Sequence, residues 1–261
     1  MTDDAGGIGV APRVGMSVSE VGPLVGSGQT GASWGTASVL VKRNSAEHPN
    51  VVANEFIANR LAMLMAVPVP AGDVWTGPDG EDLWICGVIR RGNYYLPPPT
   101  PAQLHLIPGI MRARMIVFDT WILNSDRHDE NVMCDSSGDA WLIDHDQALF
   151  ARATEDRSGK LYAARRQKVH GSVIEREAMP SSEHLKQAIA GLQAVPRAAV
   201  VGQLEEARRR NLVTGLERDR LRRTLSYRAD NIRSLVQVPK DDPREEAGRA
   251  PQDPAEEGRL T

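Results

Sequence analysis

The stretch from Ser125 to Asn131, S-D-R-H-D-E-N, is polar or charged at every position, and it stands between two apolar stretches. Residues 107–123 come before it and are apolar nearly all round, as suits a helix at the centre of a helical lobe. Ala140-Trp141-Leu142-Ile143 come after it as a short strand that delivers Asp144. Both flanks demand burial. Any fold open to this chain must therefore gather a set of ligand-capable side chains at the edge of an apolar frame.

Acid, amide and second acid at this spacing are what phosphoryl transfer asks of a protein. ATP brings clustered negative charge, so magnesium must bridge its phosphates and hard oxygen ligands must hold that ion. Asn131 and Asp144 are the right types, one neutral amide oxygen and one carboxylate. Asp126 is the candidate for orienting or deprotonating an attacking hydroxyl, five residues before Asn131 as in the catalytic loop of protein kinases. The bland alternative makes Asp126 and Asn131 caps for backbone donors in a loop. It leaves the clustering of polar groups between two apolar segments without a reason.

The earlier part of the chain supplies complementary groups. Gly26, Ser27, Gly28 and Gly31 form a turn whose backbone N–H groups can approach phosphates, although VGSGQTGASWG fits neither a Walker pattern nor GxGxxG. Lys42 ends the strand Val39-Leu40-Val41. Alone it reads equally well as an exposed strand-end charge. Glu55 follows in the first turns of the next helix, where it can pair with Lys42 and orient it toward phosphates. With the Asp–Asn–Asp set, this pair describes a two-lobed ATP cleft.

The expected architecture is accordingly α+β: a bilobal, protein-kinase-like fold with a small antiparallel-sheet N-lobe carrying one helix and a larger helical C-lobe. Residues 1–15 read as a flexible arm, 16–96 as the N-lobe, 97–238 as the C-lobe and 239–261 as a disordered acidic tail. Within 16–43 the pattern suggests two strands around the glycine turn, with ASVLVKR as the return strand. Helical spacing over 51–65 ends at Val67-Pro68-Val69-Pro70, and strands are expected over 72–75 and 83–90. Residues 94–101 read as a crossover between lobes, and helices are expected over 182–194, 197–211 and 216–236. The arginines at 208–210, 218, 220, 222 and 223 read as a solvated face.

Composition excludes several classes. A formal charge of −3 gives no sign of a polyanionic partner, so nucleic-acid binding is not suggested. Cys86 and Cys134 are the 2 cysteines and belong to no CxxC pair, which fits a reducing cytoplasm. No apolar run approaches the roughly 18 residues a membrane span needs, and the start lacks a basic segment followed by an apolar one.

S-D-R-H-D-E-N, L-I-D-H at Leu142 to His145, and N-E-F-I-A-N-R-L-A from Asn54 followed by V-P-V-P resemble the kinases related to HipA and, more distantly, the phosphoinositide 3/4-kinases. The resemblance spans roughly residues 20–235. It implies that Lys42 contacts ATP phosphates, Glu55 anchors Lys42, Asn131 and Asp144 carry magnesium, and Asp126 is the catalytic acid/base. The strand over 83–89 would lead to the hinge where adenine binds. Two departures stand out: Asp146 occupies a position where a DxG pattern has glycine, and His128 follows Asp126 instead of preceding it. In phosphoinositide-type kinases the histidine of such a triplet is implicated in proton transfer, so Asp126 and His128 compete for that role.

Other readings stay open. Asp126, His128, Asp144, His145 and Asp146 form a set suited to a metal-dependent phosphohydrolase, although His145 and Asp146 also read as packing or capping residues. A nucleotide-binding pseudokinase is the third reading. Ser27, Thr30 and Ser33 in the glycine turn are candidates for autophosphorylation. The acceptor is a hydroxyl of a protein or small molecule, and a lipid is disfavoured because no apolar-basic surface helix is present.

Overall fold

The computed structural model describes residues 14–16, 18–25, 31–91 and 94–238. Gly26, Ser27, Gly28 and Thr30 lie outside the described residues, as do the tail over 239–261 and the arm over 1–13.

The smaller lobe is built from antiparallel strands: β1 (Val14–Met16), β2 (Val18–Leu24), β3 (Ser33–Ala37), β4 (Val39–Lys42), β5 (Gly72–Thr76), β6 (Asp82–Gly87), β7 (Ile89–Arg91) and β8 (Tyr94–Tyr95). β2 and β3 pair as a hairpin, β4-β6-β5 form one sheet, and β1-β7-β8 form another. The return strand expected as ASVLVKR is therefore two strands. β3 closes the hairpin and β4 joins β6, with Ser38 at the break, where its carbonyl accepts a hydrogen bond from Val88 N at 3.3 Å. The strand expected over 83–90 is broken at Val88 for the same reason, because each half serves a different sheet. Val14 and Gly15, expected in the arm, pair with Arg91 and Arg90.

Helix α1 (Val51–Leu64) is buried along most of its length, including the polar Asn54, Glu55 and Asn59. One side packs on β5 and β6, the other on α7 (Arg197–Arg209) of the larger lobe. A helix buried on two sides carries apolar residues around its whole circumference, and the few polar ones must find partners. Its end is set before the prolines, at Ala66, whose φ of 51° turns the chain so that Val67 N returns to Ala62 O at 3.0 Å.

The larger lobe holds α2 (Pro101–Leu106), α3 (Gly109–Trp121), the hairpin β9 (Val132–Cys134) and β10 (Ala140–Leu142), α4 (Arg157–Ala163), α5 (Val173–Glu177), α6 (Ser182–Ala194), α7 and α8 (Gly215–Leu235). α3 is the central helix, buried without interruption from Met115 to Trp121 and packed on α6 and α8. The crossover expected over 94–101 runs directly into α2. Thr100 and Gln103 form a reciprocal capping box there, and Pro101 occupies the first turn, where its missing N–H costs nothing. α4 and α5, short and capped by Asp156 and Ser172, carry too few turns to show a periodicity. The arginine-rich face of α7 and α8 is largely ion-paired, with Arg218 on Glu205 and Arg220 on Asp156. The molecule is thus α+β with a kinase-like division of labour: a small sheet lobe with one helix, and a helical lobe. Among the described residues no helix is long and apolar enough to cross a membrane.

Candidate active site

Between the lobes lies a cavity of about 590 Å³. Leu40, Lys42 and Glu55 line it from the sheet side, Val88 to Arg90 from the β6–β7 link, and Leu142 to His145 from the end of β10. It is an apolar slot with charged groups gathered at one wall.

Lys42 is the centre of that wall. Its Nζ lies 2.5 Å from Glu55 Oε1 and 3.0 Å from Asp144 Oδ1, so one ammonium joins α1 to the segment after β10. Burial alone would push the Lys42 ammonium down, but the two carboxylates reverse this and raise it above its ordinary 10.5. Burial likewise favours the neutral form of Glu55. His145 and Lys42 outweigh it and bring the carboxyl down to about 2. Glu55 Oε1 accepts from His145 N at 3.1 Å, and Oε2 lies 3.4 Å from His145 Nδ1. His145 itself stands edge-on to Phe118, with Nε2 buried and without a hydrogen-bond partner among the described residues.

The S-D-R-H-D-E-N loop is held from below by a buried pair. Arg127 donates through Nε and Nη2 to both carboxylate oxygens of Asp119 on α3, at 2.9 and 3.0 Å, and Asn124 Nδ2 donates to Asp119 Oδ1 at 2.9 Å. The remaining Arg127 nitrogen, Nη1, donates to Asn131 O at 2.7 Å and Ile143 O at 2.5 Å. One guanidinium thereby ties α3, the polar loop and the strand that delivers Asp144. Asn131 is buried, and its Nδ2 donates to Asp126 O at 2.8 Å and to His128 Nε2 at 3.0 Å. With both amide hydrogens used, its Oδ1 is the group left to act as a ligand. The Asp126 side chain is exposed to solvent.

Asp144 has φ of 56°, a left-handed conformation that aspartate tolerates better than most residues but that still costs about 1 kcal/mol. The backbone is held on both sides of it. Ile143 N donates to Asn131 O at 3.1 Å, Ile143 O accepts from Arg127, His145 N donates to Glu55, and Asp146 O accepts from Asn54 Nδ2 at 2.7 Å. His145 and Asp146 go beyond packing or capping: His145 braces Glu55, and the Asp146 carboxylate meets His48.

The structure brings Lys42, Glu55 and Asp144 into direct contact, and joins Asn131 to them through the backbone of Ile143. Asp126 and His128 lie beside Asn131 on the loop, outside the lining of the cavity. Gly26, Ser27 and Gly28 cannot be located, being outside the described residues. The set fits a magnesium ion: the amide oxygen of Asn131 is uncommitted, and Asp144 offers a carboxylate that meets Lys42 through Oδ1 and has the Asp146 carboxyl as a neighbour. Sequence reasoning missed Asp119, Arg127, Asn54 and His48. A signal existed for Asp119, because a carboxylate inside an apolar helix must have a buried partner.

A mixed fold with a lysine–glutamate pair and the Asp144 carboxylate facing one cleft defines a kinase-like protein. The model of the HipA-like kinase family matches residues 98–229, just over half of the chain, and this protein belongs to that family. Among solved structures, the Helicobacter pylori proinflammatory kinase CtkA is similar at 14% identity, over 76% of this chain and 87% of that one, with a TM-score of 0.53, a likeness of fold. Shewanella oneidensis MR-1 HipA, solved with HipB and operator DNA, aligns at 15% identity over 91% of this chain and 70% of that one, with a TM-score of 0.39. No curated protein matches the sequence.

Proposed function

We propose that this protein transfers the γ-phosphoryl group of ATP to a hydroxyl of a protein or small molecule. The observation that carries the reading is the simultaneous contact of Lys42 Nζ with Glu55 and Asp144 at the wall of an apolar cavity. A cation so held is aimed and kept charged, ready to meet phosphate oxygens that enter the cleft. Glu55 orients it, and His145 fixes Glu55 in turn. Asn131 and Asp144 are assigned to magnesium, which when bound supplies neutralisation of phosphate charge.

In the transfer, the bond between the γ-phosphorus and the ADP oxygen breaks and one to the substrate oxygen forms, while the hydroxyl proton passes to Asp126. His128 is the weaker claimant for that proton. Its Nε2 faces an amide nitrogen that can only donate, so the lone pair a base would need is already engaged. The phosphohydrolase reading loses one member of its set in the same geometry, because His145 is engaged with Glu55 through both its backbone N–H and its ring. Ser27 and Thr30 remain candidates for autophosphorylation from sequence alone, and Ser33 stands at the start of β3.

Asp126→Asn is expected to lower turnover about 10²–10⁴-fold with ATP binding intact. Asp144→Asn should instead weaken binding of ATP in the presence of magnesium. Transfer of label from γ-labelled ATP, measured beside ATP binding by calorimetry, separates the two. Wild-type transfer rates in both variants would overturn the assignment.

A further inference from the structure

The segment after Asp144 is attached to the N-terminal end of α1 by more side chains than a hinge between lobes requires. Asn54, fully buried, uses both ends of its amide on it: Nδ2 donates to Asp146 O at 2.7 Å and Oδ1 accepts from Phe150 N at 3.2 Å. Asn50, at the helix cap, donates to Ala151 O at 3.0 Å and Ala153 O at 2.8 Å. His48, folded into a turn with Ser45, brings Nδ1 within 2.9 Å of Asp146 Oδ2, which also accepts from Gln147 Nε2 at 2.9 Å. The His48 ring and the Asp146 carboxyl group share one proton across this contact.

We propose that His48, Asn54 and Asp146 are positioning residues: they latch the segment that carries Asp144 to the helix that carries Glu55, so that the two carboxylates flanking Lys42 keep their spacing before any nucleotide arrives. A glycine at 146, as the DxG pattern would have, offers no side chain to hold. The aspartate here converts a free joint into a fixed one, and it does so beside a residue already held at positive φ. The latch has no contact with the transferred group and acts only through Asp144. This inference rests on the phosphotransfer reading for its purpose, though not for its existence.

Outer contacts that orient a metal ligand are worth about 10–100-fold in metal affinity. His48→Ala and Asp146→Ala are therefore expected to raise the magnesium concentration needed for ATP binding about tenfold or more, with little change in melting temperature. Asp146→Asn keeps a carbonyl oxygen for His48 and Gln147 and should stay near wild type. Hydrogen exchange in the nucleotide-free protein should quicken over residues 143–153 in the two alanine variants alone. Unchanged exchange and magnesium requirement in those variants would overturn the latch. So would an Asp146→Asn loss as large as that of Asp146→Ala, which would make Asp146 act through its charge. Absence of magnesium-dependent ATP binding by the wild type would sink the phosphotransfer reading, while the exchange measurement still decides whether the latch holds the segment.

Discussion

Glu55 shows how much one side chain owes to its neighbours. A buried carboxyl without partners becomes neutral, yet against that burial His145 and Lys42 bring this one from the ordinary 4.5 to about 2. A carboxyl whose pKa falls on folding stabilises the fold while it is ionised in both states, above about 4.5, and that contribution is lost as pH falls through about 2. The amount is of the order of 3 kcal/mol. Stability measured by urea denaturation should therefore decline from pH 4.5 downward, and Glu55→Gln should flatten that decline while lowering stability at neutral pH. Glu217, held down to about 2 by the hydrogen bond from Arg157 against its burial, adds to the same acid limb. A curve for Glu55→Gln as steep as wild type would show that the pair does not hold Glu55 ionised. The pairing of Lys42 with Glu55 was legible in sequence once the two were set beside Asp126, Asn131 and Asp144. The third member of the contact, His145, was not, since a histidine after a strand has many ordinary uses.

At the scale of elements, the polar loop is positioned by α3 from beneath. Asp119 sits among apolar residues on that helix because Arg127 returns to it eight residues later, and the pair is almost wholly buried. Arg127→Met leaves the Asp119 carboxylate buried and unpaired, which is expected to cost about 3–5 kcal/mol. Adding Asp119→Leu removes the stranded charge and should recover much of that stability. It should not recover phosphoryl transfer, because the tie that Arg127 Nη1 makes to the Asn131 and Ile143 carbonyls is still missing. Parallel denaturation and transfer assays on the single and double variants test this, and recovery of both together would show the strut to be structural only. Long helices such as α6 were legible at their full extent, because about three and a half turns of amphipathic spacing leave little choice. The short α4 and α5, and α2 behind its prolines, are fixed by caps and by contacts with other elements, which no local periodicity records.

On the scale of the whole molecule, arginines tie distant parts together through main-chain oxygens. Arg228 on α8 is fully buried and donates to the carbonyls of Thr120, Trp121, Arg165 and Gln167, so it joins the end of α3 to the end of the α4 segment. Burial pulls this guanidinium down to about 10, which leaves it charged at neutral pH. Arg228→Leu strands acceptors at about 1–3 kcal/mol each. It is expected to shift the urea midpoint strongly with the slope unchanged, and a midpoint within error of wild type would discount this role. Arg210 does similar work between lobes, 2.9 Å from Asp73 of β5 and stacked over Phe56 of α1. Helix α1 is thereby fixed to both lobes, and the spacing of the cleft groups depends on contacts 137 residues apart in the chain.

The chain by itself determined the class of fold, the two apolar flanks, and the residue types that make a phosphotransfer site, because periodicity and short spacings are local properties. Only the tertiary structure decided which groups meet. Asp144 reaches Lys42 across 102 positions, Glu55 takes His145 at a separation of 90, and Asp146 finds His48 at 98. Such pairings follow from how sheets and helices close on one core, and the ionised state of Glu55 is held by a partner, His145, that the local sequence does not name.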